Sequence, residues 1–438
     1  MTSERGNFYA FISFNIALLL FLGSNGPFLF ADSQEYLSMS PLRAPVYPIF
    51  LYLLKLLSAK YFLHIAVFIQ VGLTLFAARH LCGQLRRKLD WSLPVALFAY
   101  LLMLLPLFHF SDCALCLYIG NTIATEALAY PLFLLLCAAA LRALWEPERK
   151  PLLLMAFLSA FGLLIRPQLI FTYPLTLFVI FISGRRKTWN ATQLAPVLGA
   201  FLVFSGLAYL GQRTYNGFIR NPFLKQELLA TVLYVSEPKD AELFASHRDS
   251  ETVKKIFSRI ESQNAFLAQK TNPTQPVSSH YTRNFDPICW GILHQSMAED
   301  IGPEVTTPER FSRMDSVCGD MLRVLAPRKI PQLLKLLAIK LWTLGLFPLL
   351  AFAGYILSLL FTRDVSGEEK LFVQAVWVLA ASNILLVAFS AELLQRYLFY
   401  TNMLMCVSLA TILSHWQKGE LRLQPYGFGA SAKVLNFH

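Results

Sequence analysis

The stretch FADSQEYLSMSPLRAPVYPIF, residues 30–50, decides how the chain is to be read. It follows an apolar run over residues 8–22 and breaks that run's chemistry with Asp32, Glu35 and Arg43 and with Pro41, Pro45 and Pro48. It then turns apolar again in APVYPIFLYLLKLL, residues 44–57. A bilayer crossing takes about 17 to 25 predominantly apolar residues, so this second run is too short and too proline-interrupted to span. Bracketed by Arg43 and Lys60, it reads as a helix lying in the membrane interface. The polar stretch before it is then a loop held at the membrane surface, just after a first span.

The rest of the chain agrees with a membrane setting. Of 438 residues, 55% are hydrophobic and 15% charged, against roughly a quarter charged in soluble domains. Mean hydropathy is +0.49. Apolar runs predict about ten spans, over residues 8–25, 61–79, 91–108, 122–144, 152–165, 168–183, 194–210, 344–361, 371–390 and 398–414. The fifth and sixth are separated only by IRPQ, residues 165–168, where Pro167 disfavours helix at Arg166. Bulky Leu29 stands where signal cleavage before Asp32 would need a small residue, which favours an uncleaved first span.

Basic residues set the orientation. With the N-terminus cytoplasmic, the inner loops carry RRK at 86–88, PERK at 147–150 and GRRK at 184–187, and the tail carries Lys418 and Arg422. The net charge of +11 is accounted for by such loops and does not indicate nucleic acid. Four regions follow: an N-terminal transmembrane module over 1–210, an extracytoplasmic domain over 211–333, a C-terminal transmembrane module over 334–416 and a cytoplasmic tail over 417–438. The 211–333 segment mixes charges of both signs and holds Cys289 and Cys318, which an extracytoplasmic location would allow to pair. Within it, residues 241–270 have helix-forming composition, and RKIPQLLKLLAIKLW at 328–342 reads as a basic amphipathic anchor.

Counted through this topology, Asp32, Glu35, Arg43, His109, Asp112, Glu126, Arg166, Glu392 and Arg396 all fall at or just inside the outer face. Ionisable groups at membrane depth are costly and usually line a cavity or pathway, so their gathering on one side implies a polar cavity between helices. No HExxH, GxSxG or phosphate-cradling glycine loop competes, and CALC at 113–116 lacks a thioredoxin-like context.

The chain also resembles a known family. ADSQEYL at 31–37, RAPVYPIFLYLL at 43–54, FSDC around Asp112, TEAL at 125–128, IRPQ around Arg166 and QRYLF at 395–399 resemble, in order and outer placement, motifs of the GT-C superfamily. These are polyprenyl-phosphate-dependent glycosyltransferases, including protein O-mannosyltransferases and lipid A aminoarabinose transferases. The resemblance covers most of the membrane portion and not residues 211–333. It implies an all-α polytopic bundle with a large extracytoplasmic loop domain, in a bacterial inner membrane, with both termini cytoplasmic.

It also implies partners: a polyprenyl-phosphate-linked sugar donor, a glycan, lipid or protein acceptor, and the membrane lipids around them. The isoprenoid tail lies in the bilayer, so the anomeric carbon sits where spans meet outer loops. In such a site Asp32 is the base for the acceptor hydroxyl, with Asp112 and Glu126 as further catalytic carboxylates. Arg396 and Arg166, backed by Arg43, stabilise the donor phosphate. Glu35, Tyr36, Glu392 and Tyr397 are candidate substrate contacts. The resemblance fixes no cofactor, and the oxygen ligands with His109 leave a divalent cation as an option. Two alternatives stay open at this point: an O-antigen polymerase or ligase with its essential residues in the large loop, and a lipid or glycan flippase.

Overall fold

The structure, a computed structural model, describes residues 2–30, 32–108, 119–146, 148–185, 191–217, 223–301, 307–343, 353, 367–390 and 398–417. Among these residues the protein is helical, and the only β-type pairing is an isolated parallel bridge between Phe28 and Thr122. The helices of the N-terminal part are α1 (Thr2–Ser24), α2 (Ser33–Leu37), α3 (Val46–Leu57), α4 (Phe62–Lys88), α5 (Leu93–Leu104), α6 (Thr125–Trp145), α7 (Arg149–Ile165), α8 (Thr172–Arg185) and α9 (Ala191–Tyr215). Then come α10 (Phe223–Tyr234), α11 (Ser250–Ser262), α12 (Val277–Asp286), α13 (His294–Ile301), α14 (Thr307–Leu325), α15 (Ile330–Thr343), α16 (Gly367–Ser390) and α17 (Phe399–Gln417).

Among the described residues, five helical segments are long and apolar enough to cross a bilayer: Phe62–Lys88, Thr125–Trp145, Pro167–Gly184, Thr192–Tyr215 and Gly367–Phe389. Ile12–Ser24, Val46–Leu57 and Leu93–Phe108 are apolar but shorter. The expected span over 344–361 lies almost wholly outside the described residues. An all-α protein of membrane type is therefore what the chain builds.

Helix α6 is the axis of the bundle. It packs on α4, α7, α8 and α16, and its side chains from Thr125 to Trp145 are buried on nearly every face. A helix that is apolar all round belongs in the middle of such an assembly. Small residues Ala138, Ala139 and Ala140 allow close neighbours. By contrast α9 turns Leu198, Leu202, Val203, Leu207 and Leu210 outward, an apolar surface suited to lipid. Gly23 of α1 lies against the ring of Phe68 on α4, where a Cβ would come within 2.4 Å. The bundle core ends in an aromatic group of Tyr130, Phe133, Phe171 and Tyr400, drawn from α6, the α7–α8 junction and α17.

Residues 223–301 and 307–343 form a second helical unit with its own core, in which Leu229, Leu233, Phe257, Phe285, Ile288 and Met314 are buried. The helix-forming reading of 241–270 resolves into α11 flanked by short 3-10 turns at Pro238–Phe244 and Leu267–Gln269. Cys289 and Cys318 are buried free thiols, Cys318 resting against the sulfur of Met297 at 4.0 Å.

Helix α15 differs in detail from a surface anchor. Lys329 just before it is buried in an ion pair with Asp240 at 2.6 Å. Lys340 is 1% exposed, 3.2 Å from the Tyr281 hydroxyl and 4.5 Å above that ring. The same helix places Leu336 in the second core and Leu337 and Leu341 against Ile384, Val387, Ala388 and Leu398 of the bundle. Composition shows the apolar stripe but not that Lys340 within the helix and Lys329 just before it turn inward.

Candidate functional site

After α1, Gly26 takes a positive φ of 74°, a conformation open to glycine at little cost, and the chain doubles toward the segment before α6. The Phe28 N–H donates to Asn121 O at 2.8 Å and the Ile123 N–H to Phe28 O at 2.9 Å. Ser33 completes the clasp. Its hydroxyl donates to Ile123 O at 2.7 Å and accepts from the Phe30 N–H at 2.7 Å. Two loops ninety residues apart are thus one unit, and the turn bearing Asp32 and Glu35 is fixed beside the first turn of α6.

The loop then folds onto its own charges. The Arg43 guanidinium donates through Nη2 to Asp32 Oδ1 at 2.8 Å and through Nε to Glu35 Oε2 at 2.6 Å. It lies 5.4 Å over the ring of Tyr36, a cation–π arrangement. Burial opposes the Arg43 charge, but the Glu35 hydrogen bond and the neighbouring Tyr36 and Asp32 outweigh it, and the pKa moves up. Tyr36 is 3% exposed and meets Tyr47 of α3 edge-on at 5.2 Å. Tyr47 accepts from Gln70 Nε2 on α4 at 2.7 Å.

The sequence break at IRPQ supplies the second cluster. Arg166 is extended at φ −152° and ψ 114°, as the following proline requires, and α7 ends there. Its Nη1 lies 2.8 Å from Glu126 Oε2, with side chains 13% and 15% exposed. Nη1 also donates to Thr125 Oγ1 at 2.9 Å, and Nε to Gln168 Oε1 at 2.9 Å. Gln168 reaches Asn383 of α16 at 3.5 Å, and Asn383 donates to Thr401 of α17 at 3.3 Å. Glu126 sits in the first turn of α6, where the helix dipole favours a carboxylate.

The two clusters meet at Tyr36. Burial raises its pKa to about 12, and the charges of Glu126, Arg43, Arg166 and Asp32 all act on its hydroxyl. The same Glu126, Arg166 and Tyr36 act on the hydroxyl of Tyr400 in the first turn of α17. Asp32, Glu35, Tyr36, Arg43, Glu126 and Arg166 therefore gather at one end of the bundle. Asp112, Glu392, Arg396 and Tyr397, with His109, lie outside the described residues. Arg43 faces carboxylates, so two of its N–H groups orient Asp32 and Glu35.

Ser33, Gln70, Thr125, Gln168, Asn383, Thr401 and Tyr400 complete the surroundings and were not legible as site residues. Their polar atoms are ordinary in sequence and acquire meaning only from the helices that bring them together. Among the described residues no three His, Cys, Asp or Glu side chains converge as a metal site. No family model matches the chain, and neither a curated protein nor a solved structure matches it.

Proposed function

We propose that the protein is an integral-membrane glycosyltransferase that moves a sugar from a polyprenyl-phosphate donor to a glycan, lipid or protein acceptor at the outer face of a bacterial inner membrane. The observation that carries this reading is an Arg43-oriented carboxylate, Asp32, and a guanidinium only 13% exposed, Arg166, whose charges both act on Tyr36. A sugar phosphate needs a base on the acceptor and a cation on the leaving group. The ordered resemblance of the loop motifs to GT-C transferases supports the same chemistry.

In this mechanism the acceptor oxygen attacks the anomeric carbon and the Asp32 carboxylate takes the acceptor proton. The bond from carbon to phosphate oxygen breaks, and polyprenyl phosphate leaves with both electrons. Arg166 steadies the charge on the phosphate, joined by Arg396 of the QRYLF motif. One displacement inverts the anomeric centre. Tyr36, buried beneath Arg43 and against Tyr47, braces the loop that carries Asp32.

The test is mass spectrometry of surface glycans and glycolipids from cells carrying wild-type protein, no protein, or Asp32→Asn. A sugar lost on deletion and not restored by Asp32→Asn, at equal membrane abundance, supports the reading. Full restoration by that variant removes Asp32 from the mechanism.

A further inference from the structure

Tyr400 is the one buried tyrosine of the aromatic group whose hydroxyl is left unanswered. The residue is 1% exposed. Its ring is enclosed by Tyr130, Phe133 and Phe171 at centroid distances of 6.3, 5.5 and 5.9 Å. Tyr130 donates to the Met103 carbonyl at 2.7 Å, whereas among the described residues the Tyr400 hydroxyl has no hydrogen-bond partner. A buried hydroxyl without a partner costs free energy, and natural proteins seldom carry one without a reason. Gln70, linked to Tyr36 through Tyr47, is 1% exposed, and among the described residues its Oε1 likewise has no partner.

Phenylalanine would fill the same space with no unmet polar atom. The hydroxyl, moreover, lies within electrostatic reach of Glu126, Arg166 and Tyr36. We propose that Tyr400 is a further donor-binding residue, whose O–H donates to an oxygen of the lipid-linked headgroup when that headgroup enters beside Arg166. This rests on the glycosyltransferase reading and adds a recognition group three residues after Tyr397 in the sequence. The oxygen belongs either to the phosphate or to the sugar it carries. Either would meet a neutral donor already stripped of water, within the electrostatic reach of a guanidinium, an arrangement that favours oxygen with partial negative charge.

The test uses full-length protein in lipid nanodiscs and the substitution Tyr400→Phe. Four quantities are read: the melting temperature, binding of undecaprenyl phosphate, and the KM and kcat for lipid-linked sugar extracted from gene-deleted cells. The expected result is a melting temperature equal to or above wild type together with about tenfold weaker donor handling. Weaker undecaprenyl phosphate binding assigns the contact to phosphate. Unchanged binding with a raised donor KM assigns it to the sugar. Wild-type binding and kinetics in Tyr400→Phe overturn the proposal, as does a fall in melting temperature that accounts for the lost activity. If wild-type protein neither binds the lipid phosphate nor consumes the extract, the glycosyltransferase reading itself fails. Asp32→Asn, which retains binding when only the base is lost, separates the two cases.

Discussion

Arg166 and Glu126 are joined across 2.8 Å although they come from the end of α7 and the start of α6 and are only 13% and 15% exposed. Breaking a buried pair from one side costs about 3–5 kcal/mol, while replacing both partners costs far less. Arg166→Met and Glu126→Leu should each lower the melting temperature, and the double variant should recover much of the loss. Additive losses would show that the pair is not a coupled unit.

Arg43 holds two carboxylates with a fork that lysine cannot reproduce. Arg43→Lys keeps the charge but not both contacts at once. Under the proposed mechanism, sugar transfer should fall by about tenfold to a hundredfold, with normal membrane insertion, because Asp32 loses its fixed direction. A cellular glycan assay at matched expression reads this directly, and wild-type transfer would show that Asp32 needs no such support.

Ser33→Ala removes the hydroxyl that ties the first loop to Ile123. The Ile123 carbonyl and the Phe30 N–H then both lose a partner. The expected destabilisation is about 1–3 kcal/mol, with faster hydrogen exchange at Phe30 and Tyr36. Protection equal to wild type would mean that the Phe28 backbone pairing alone holds the clasp.

Lys340 gives a pH dependence of defined sign. Burial lowers its pKa from 10.5 to about 7, so between those values the unfolded chain carries a proton that the folded chain lacks. Stability therefore rises with pH across this window and is lost as pH falls toward about 7, at about 1.4 kcal/mol per pH unit. The melting temperature measured from pH 7.5 to 9.5 should climb in wild-type protein and climb less in Lys340→Met. Parallel curves would exclude Lys340 as the source.

Residues with a local physical signature were visible in the sequence. Pro167 announces the break at Arg166, and the length of the 44–57 apolar run announces a helix too short to cross. Asp32 and Glu126 stand out because carboxylates beside apolar runs are rare. Residues 211–333 were opaque because an ordinary mix of polar and apolar residues gives no single period, and their core forms from contacts distant in sequence. Gln168, Asn383 and Thr401 were invisible for another reason: a relay of neutral side chains across three helices leaves no trace in composition. Lys340 went the opposite way from its sequence cue, since a cation on an apolar helix suggests a headgroup contact rather than a tyrosine.

Helix α15 belongs to two cores at once, giving Leu336 and Lys340 to the polar unit and Leu337 and Leu341 to the bundle. Anyone cutting out the hydrophilic portion for crystallisation or antibody production should therefore place the C-terminal scissors after Thr343, not before Ile330. A fragment trimmed at the earlier site would uncover the face of Tyr281 that Lys340 covers, whereas the longer one carries a greasy stripe that wants detergent or two leucine-to-glutamate surface changes.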